Sequence, residues 1–352
     1  MDIRELDANF QFGGISRQNL QWIGRDHPCV EVNGAAEVQN FYRIAKAKAS
    51  SLSPAVQCIS ESTAGVRLRF RTDASYIALK AVIRWPGNMS HMPHSGSGGF
   101  DLYAGRPGET PTFRKVFMPD CGRTEVSGEV FLPDRQLRDI ILNLPLYNGV
   151  RELAVGLPED CVLQPPSPFA LPKPVVFYGS SITQGGCASR PGNMYPSIVC
   201  RELNLDLYDL GFSGSAKGEP EMADYIAGLE MAALVMDYDY NADTVEWLEA
   251  THEPFFQRVR QSHPTLPVIF MSKPNVDNER EVSALRREVI YRTFKRARAS
   301  GDCHVWMIDG ADLFGTGFRD CCTVDGCHPN DLGFLRMAET VLPVLCKALN
   351  LA

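Results

Sequence analysis

Six prolines, at positions 158, 165, 166, 168, 172 and 174, crowd one short stretch of this 352-residue chain. Proline fixes φ and lacks a donor N–H, so the stretch can sustain neither a helix nor a central strand. It reads as a linker over 158–174 between an N-terminal domain, 1–157, and a C-terminal domain, 175–352. At roughly 150 residues per domain the length suits two bodies. Hydrophobic residues make up 44% of the chain, enough for two cores and too many for extended disorder.

The two halves carry different periodicities. Before the prolines, Val66, Leu68 and Phe70 alternate with Arg67, Arg69 and Arg71, and Ile77, Leu79, Ala81 and Ile83 line one face of a second run. Such alternation is the mark of a strand with one buried face. Several further short runs, FDLYAG, EVFLP, DIILNLPLY and ELAVGL, are broken by Gly, Pro, Asn and Asp. An antiparallel β-sandwich of jelly-roll-like form is expected. After the prolines, five apolar strand candidates each lead into a helix, near 195–203, 222–229, 244–260, 279–298 and 332–349. Repeated strand–helix units imply a parallel sheet covered on both faces, a three-layer α/β/α flavodoxin-like domain. Ligands of such sheets bind at the C-terminal edge of the strands.

Charge narrows the partners. Lys plus Arg number 35 against 42 Asp plus Glu, a net charge of −7, which disfavours nucleic acid and anionic membranes. The basic run from Arg286 to Arg298 is read as a solvated helix face, since apolar residues share the segment. No apolar run approaches a membrane span, and the charged N-terminus lacks the apolar centre of a secretion signal. The eleven cysteines are odd in number and show no CxxC pair, so reduced thiols and a cytoplasmic location are expected. Oligomeric state is left open.

The chemistry concentrates after the prolines. Tyr178-Gly179-Ser180-Ser181 ends the first strand candidate of the C-terminal half. A serine at a glycine-lined strand-to-helix turn exposes its hydroxyl at the sheet edge, near backbone N–H groups and a helix N-terminus that favour an oxyanion. Taken alone, the residue is more often an N-cap, or part of a phosphate-cradling loop. Asp325 and His328 lie three residues apart on a turn before the last helix. A carboxylate so placed can fix the tautomer of the imidazole. Together the three residues make a Ser181–His328–Asp325 set for nucleophilic catalysis.

That order of motifs, GSSIT at the first strand and DGCHP before the last helix, resembles the SGNH or GDSL hydrolase family. The resemblance implies an oxyanion hole built from Ser181, Gly214 in the segment LGFSGS, and Asn241 in DYNA. Two departures stand out: Ser180 replaces the aspartate of GDSL, and DYNA replaces the common Gly-x-Asn-Asp block. Gly99-Phe100-Asp101-Leu102-Tyr103 is similar to the GxDLY signature of a β-rich domain that precedes one subgroup of these esterases. The resemblance further implies a serine esterase acting through an acyl-enzyme on short-chain esters, acetyl first, of a carbohydrate or other small hydroxylated compound. An acyltransferase and a non-catalytic carbohydrate-binding protein are the rival readings.

Three further residues are candidates for substrate contact. His91 and His94 sit in the Gly- and Ser-rich loop after Trp85, and Arg190 follows the serine loop. Two histidines alone make no metal site. No metal and no cofactor is expected. Cys321, Cys322 and Cys327 crowd the histidine turn and are read as small buried apolar residues.

Overall fold

The computed structural model describes residues 3–7, 13–87 and 89–351. In the N-terminal half, one antiparallel sheet has the order β1 (Leu20–Ile23), β9 (Val150–Pro158), β4 (Tyr76–Ile83), β7 (Glu125–Phe131). The other runs β10 (Leu163–Gln164), β3 (Arg67–Thr72), β8 (Arg138–Asn143), β5 (Phe100–Gly105), β6 (Thr112–Phe117), with β2 (Glu31–Asn33) also on β3. The period-two pattern does what it should. Ile77, Leu79 and Ile83 of one sheet meet Leu68, Phe70, Ile140 and Leu142 of the other in a single core. Each fully buried side chain of this size contributes about 1.5–3 kcal/mol.

The proline-rich stretch is partly woven into this sandwich. Leu163 and Gln164 pair with Thr72 and Arg71, and the Ser167 N–H donates to Asp139 at 2.7 Å. Further on, the Ala170 N–H reaches the Asn204 carbonyl of the other half at 2.8 Å.

The C-terminal half holds β11 (Val175–Gly179), β12 (Leu207–Gly211), β13 (Ala233–Asp237), β14 (Val268–Met271) and β15 (Val305–Ile308). They form one sheet of order β12-β11-β13-β14-β15, parallel throughout. Each strand of VVFYG type is buried on both faces, hence its unbroken apolar run. Helices α2 (Pro220–Ala227), α3 (Val245–Ser262) and α4 (Arg280–Ala299) cover one face. The other face carries α1 (Tyr195–Glu202) and α5 (Asp331–Ala348). Side-chain caps start two of these helices: Thr244 accepts from the Trp247 N–H and Asn330 from the Gly333 N–H. The order reverses around β11, and in open α/β sheets ligands bind at the C-terminal end of the strands beside such a reversal.

The halves are joined more intimately than the sequence pattern suggests. Ile44, Leu52 and Val56 from the N-terminal half enter the α/β core beside Tyr178 and Leu210. Arg43 is fully buried there. It donates to the Gly211 carbonyl at 2.6 Å and to Ser62 at 2.9 Å, and pairs with Asp209 at 3.3 Å. A charge so buried is tolerated only because every face of it is bonded. Arg67 and Arg69, the polar alternates of β3, are buried too. Arg67 pairs with Asp206, while Arg69 lies 3.6 Å from the centre of the Phe169 ring.

Candidate active site

Strand β11 ends at Gly179, where a Cβ would collide with the Thr183 hydroxyl and the Asp237 carbonyl. Glycine alone lets the chain turn so tightly there. The following loop is held by turns: Gln184 N–H to Ser180 O at 3.1 Å and Gly186 N–H to Ser181 O at 2.7 Å. The Ser180 hydroxyl accepts from the Ile182 N–H at 3.1 Å, a turn-bracing role for the residue that replaces aspartate. The helix expected near 195–203 is found as α1 from Tyr195; its N-terminus lies beyond the loop that Gly185, Gly186, Pro191 and Gly192 keep out of helix, not directly behind the serine.

Ser181 Oγ lies 2.9 Å from His328 Nε2. On the far side of the ring, His328 Nδ1 is 2.7 Å from Asp325 Oδ2. The other oxygen of Asp325 accepts the backbone N–H groups of His328, at 2.7 Å, and Cys327, at 2.9 Å. Burial works to raise the Asp325 carboxyl, but these donors outweigh it and bring it down to about 2. The carboxylate is therefore ionised at neutral pH. Gly326, at φ +83°, makes this turn possible, and its carbonyl accepts from the side-chain amide of Asn278 at 3.2 Å.

Gly214 stands at φ +66° with open space where a Cβ would be. Its loop is registered to the serine loop, since the Ser213 N–H donates to Gln184 Oε1 at 2.9 Å. Asn241 ends the short 3₁₀ turn Asp239–Asn241 after β13. Its Oδ1 accepts from the Ala216 N–H at 3.3 Å, which fixes the amide plane and leaves the NH₂ as its donor end. All three segments follow strands β11, β12 and β13 and share one sheet edge.

Sequence reasoning missed the support of the Asn241 turn. Arg286 is 8% exposed, not solvated as its basic run suggested, because it leans inward from α4. It donates to the Asp239 carbonyl at 2.6 Å and the Ala242 carbonyl at 2.8 Å, and pairs with Asp239 Oδ1 at 3.1 Å. Asp239 also accepts the Lys273 N–H at 2.8 Å. The only signal in the sequence was the non-family aspartate in DYNA. Arg286→Ala should lower kcat by about tenfold or more with KM little changed, and lysine should restore part of it. Loss of thermal stability with kcat intact would reduce Arg286 to a structural brace.

Asp237 lies just below the serine loop, where the Thr183 hydroxyl donates to it at 2.9 Å and the Tyr195 hydroxyl at 2.8 Å. Burial dominates and pushes its carboxyl up to about 7. An unfolded aspartate titrates near 4, so between about 4 and 7 the folded state holds a proton that the unfolded chain releases. This contribution to stability is whole below about 4 and is lost as pH rises through about 7. Asp237→Asn should flatten the fall of the urea midpoint between about pH 4 and 7; an unchanged slope would place the titration elsewhere.

The remaining candidates divide. His91 is brought to His328, its ring centre 5.8 Å from that of His328 in an edge contact. His94 lies against Gly87 and opens the short helix His94–Ser97. Arg190 binds the sandwich instead: it donates to the Tyr103 hydroxyl, lies 3.5 Å from Asp101, and stacks 3.9 Å from the Phe113 ring centre. Asp101, the aspartate of the GxDLY-like segment, is fully buried. It accepts from the Gly192 N–H and the Asn143 amide, each at 2.8 Å. The segment thus clamps the loop after the serine. Tyr147, also from the N-terminal half, donates to the Ser181 carbonyl at 3.2 Å. Among the crowded cysteines, Cys322 is buried as expected, Cys327 is half-buried and Cys321 is exposed; exposure at the rim of the turn left Cys321 outside the core.

Residues 172–346 match the GDSL-like lipase/acylhydrolase family, and residues 20–163 match the N-terminus of SGNH-hydrolase-type esterases. A GDSL-like lipase from Bacteroides ovatus has a similar structure, with a TM-score of 0.83 and 28% identity over 94% of this chain and 98% of its own. The salicylyl-acyltransferase SsfX3 from a tetracycline biosynthetic pathway gives 0.75 at 21% identity, over 94% of this chain and 98% of its own. The acetyl xylan esterase Est2A from Butyrivibrio proteoclasticus gives 0.58 at 12% identity, over 95% and 99%. The last two likenesses show a shared fold. No curated protein matches the chain by sequence.

Proposed function

Starting from the fact that the chain belongs to the SGNH/GDSL-type esterases, with a GDSL-like acylhydrolase domain behind a GxDLY N-terminal domain, we propose that it cleaves short-chain acyl esters, acetyl first, of a carbohydrate or other small hydroxylated compound. The observation that carries the mechanism is the hydrogen-bonded line from Ser181 Oγ through His328 to Asp325, at 2.9 and 2.7 Å. Ser181 attacks the ester carbonyl while His328 Nε2 takes its proton; the Asp325 carboxylate stabilises the imidazolium. The tetrahedral oxyanion lies between the Ser181 and Gly214 N–H groups and the Asn241 amide. His328 returns the proton to the leaving alcohol. Water, deprotonated by the same ring, then releases the acid and frees the serine.

A small-ester substrate fits what surrounds the serine. His91 lies against the ring of His328, and Tyr147 donates to the Ser181 carbonyl, both from the N-terminal half. All eleven cysteines are unpaired, which supports a reducing compartment, the cytoplasm. The test is an acyl-chain series of chromogenic esters with and without acceptor alcohols. Rates falling steeply beyond acetyl and propionyl support the reading, and flat or rising rates with chain length overturn it. Preferential acyl transfer to the alcohols would make the protein an acyltransferase, the activity named for SsfX3, which shares its fold. Failure of a serine-reactive phosphonate to label Ser181 would remove the nucleophile, and with it both readings.

A further inference from the structure

His91, Cys187 and His328 come from a sandwich loop, the serine loop and the last turn of the α/β half, 96 or more residues apart in sequence. The fold gathers them. One ligand atom from each, a ring nitrogen or the thiol sulfur, lies within 4.8 Å of the other two. We propose that these three side chains bind a thiophilic divalent cation, Zn²⁺ in the first instance, and that its binding switches the enzyme off. The switching rests on His328 being the general base; the binding does not.

The donor set selects the ion. One thiolate and two imidazoles suit zinc over magnesium or calcium, which take oxygen ligands. Zinc held at 2.0–2.1 Å from nitrogen and 2.3 Å from sulfur needs its ligands roughly 3.5 Å apart. The cluster must therefore close by about an ångström, a movement within the reach of His91, whose side chain is exposed. The other two ligands are already oriented. Asp325 holds Nδ1 of His328 at 2.7 Å, so Nε2 is the nitrogen left to offer, and a carboxylate behind a zinc-bound histidine is the usual supporting arrangement. Cys187 is buried, with φ at +73°, the left-handed region that favours glycine. Its burial limits the thiol's freedom, and the sulfur already lies within 4.8 Å of the two ring nitrogens.

Binding needs no oxidant or reductant. The thiol releases one proton to solvent, its sulfur and the two imidazole nitrogens each give a lone pair to the ion, and water completes the tetrahedron. The lone pair that Nε2 gives to zinc is the one that would accept the Ser181 proton. Hydrolysis stops until the ion leaves.

The test uses the full chain, freed of metal by chelation. Zinc should inhibit ester hydrolysis, and EDTA should restore it. In Cys187→Ala and in His91→Ala, each scaled to its own metal-free rate, the half-inhibiting zinc concentration should rise by at least about tenfold. Cobalt added to Ser181→Ala should give thiolate-to-cobalt charge-transfer absorption, and the double variant Ser181→Ala/Cys187→Ala should not. Equal zinc sensitivity in wild type and both variants, activation by zinc, or bound cobalt without the thiolate band would overturn the proposal. A protein silent towards every ester would strike the esterase reading, and the cobalt spectrum would still decide the metal site.

Discussion

Ser181→Ala is expected to lose ester turnover by a factor on the order of 10⁶ in kcat, about 8 kcal/mol of barrier. The reason is the absence of any substitute. The serine hydroxyl faces His328 Nε2 at 2.9 Å, and alanine leaves the imidazole with nothing to activate but water, from an unprepared position. The fold should survive, because the hydroxyl contributes a single hydrogen bond to His328, worth about 1 kcal/mol net. The measurement is kcat on a short-chain chromogenic ester, beside the thermal midpoint. A folded Ser181→Ala that still cleaves esters at the wild-type rate would sink the triad.

Asn241→Ala should cost roughly 3–4 kcal/mol, a fall of about 10²–10³ in kcat with a much smaller change in KM. An oxyanion donor acts when charge develops and does little for the resting ester, so the loss belongs in kcat. Asn241→Asp sharpens the test. It keeps an oxygen for the Ala216 N–H, now at 3.3 Å, and so preserves the loop. It also replaces the donor by a negative charge facing another developing one. Activity lost at least as completely as in the alanine variant, with the thermal midpoint retained, identifies a donor. Recovery of activity with aspartate would assign Asn241 a structural role alone.

How much of this was legible beforehand depended on the range of the interactions. The pair Asp325 and His328 could be read because it is local: three residues on a turn, closed by backbone N–H groups of the same turn. Ser181 could be read from the glycine and the apolar strand before it, Gly214 and Asn241 from their family spacing. The two periodicities found the sandwich and the five parallel strands. Arg286 was misread because an arginine on an amphipathic helix looks solvated; only the packing of α4 on the Asn241 turn shows its guanidinium turned inward. Arg190, a candidate for substrate contact, carries an equally plain local pattern, yet its partners lie on the sandwich.

The sequence by itself determined the order of the strands along the chain and the turn chemistry at each strand end, and it pointed to the proposed nucleophile, base and carboxylate, because those follow from local sterics and alternation. Tertiary structure alone decided what the N-terminal half contributes. The burial of Arg43 beneath β12, the Asp101 clamp on the serine loop and the meeting of His91 and Cys187 at His328 each join residues with no common period or turn. Such contacts form only when two separately patterned surfaces pack, and packing depends on the three-dimensional fit of both at once.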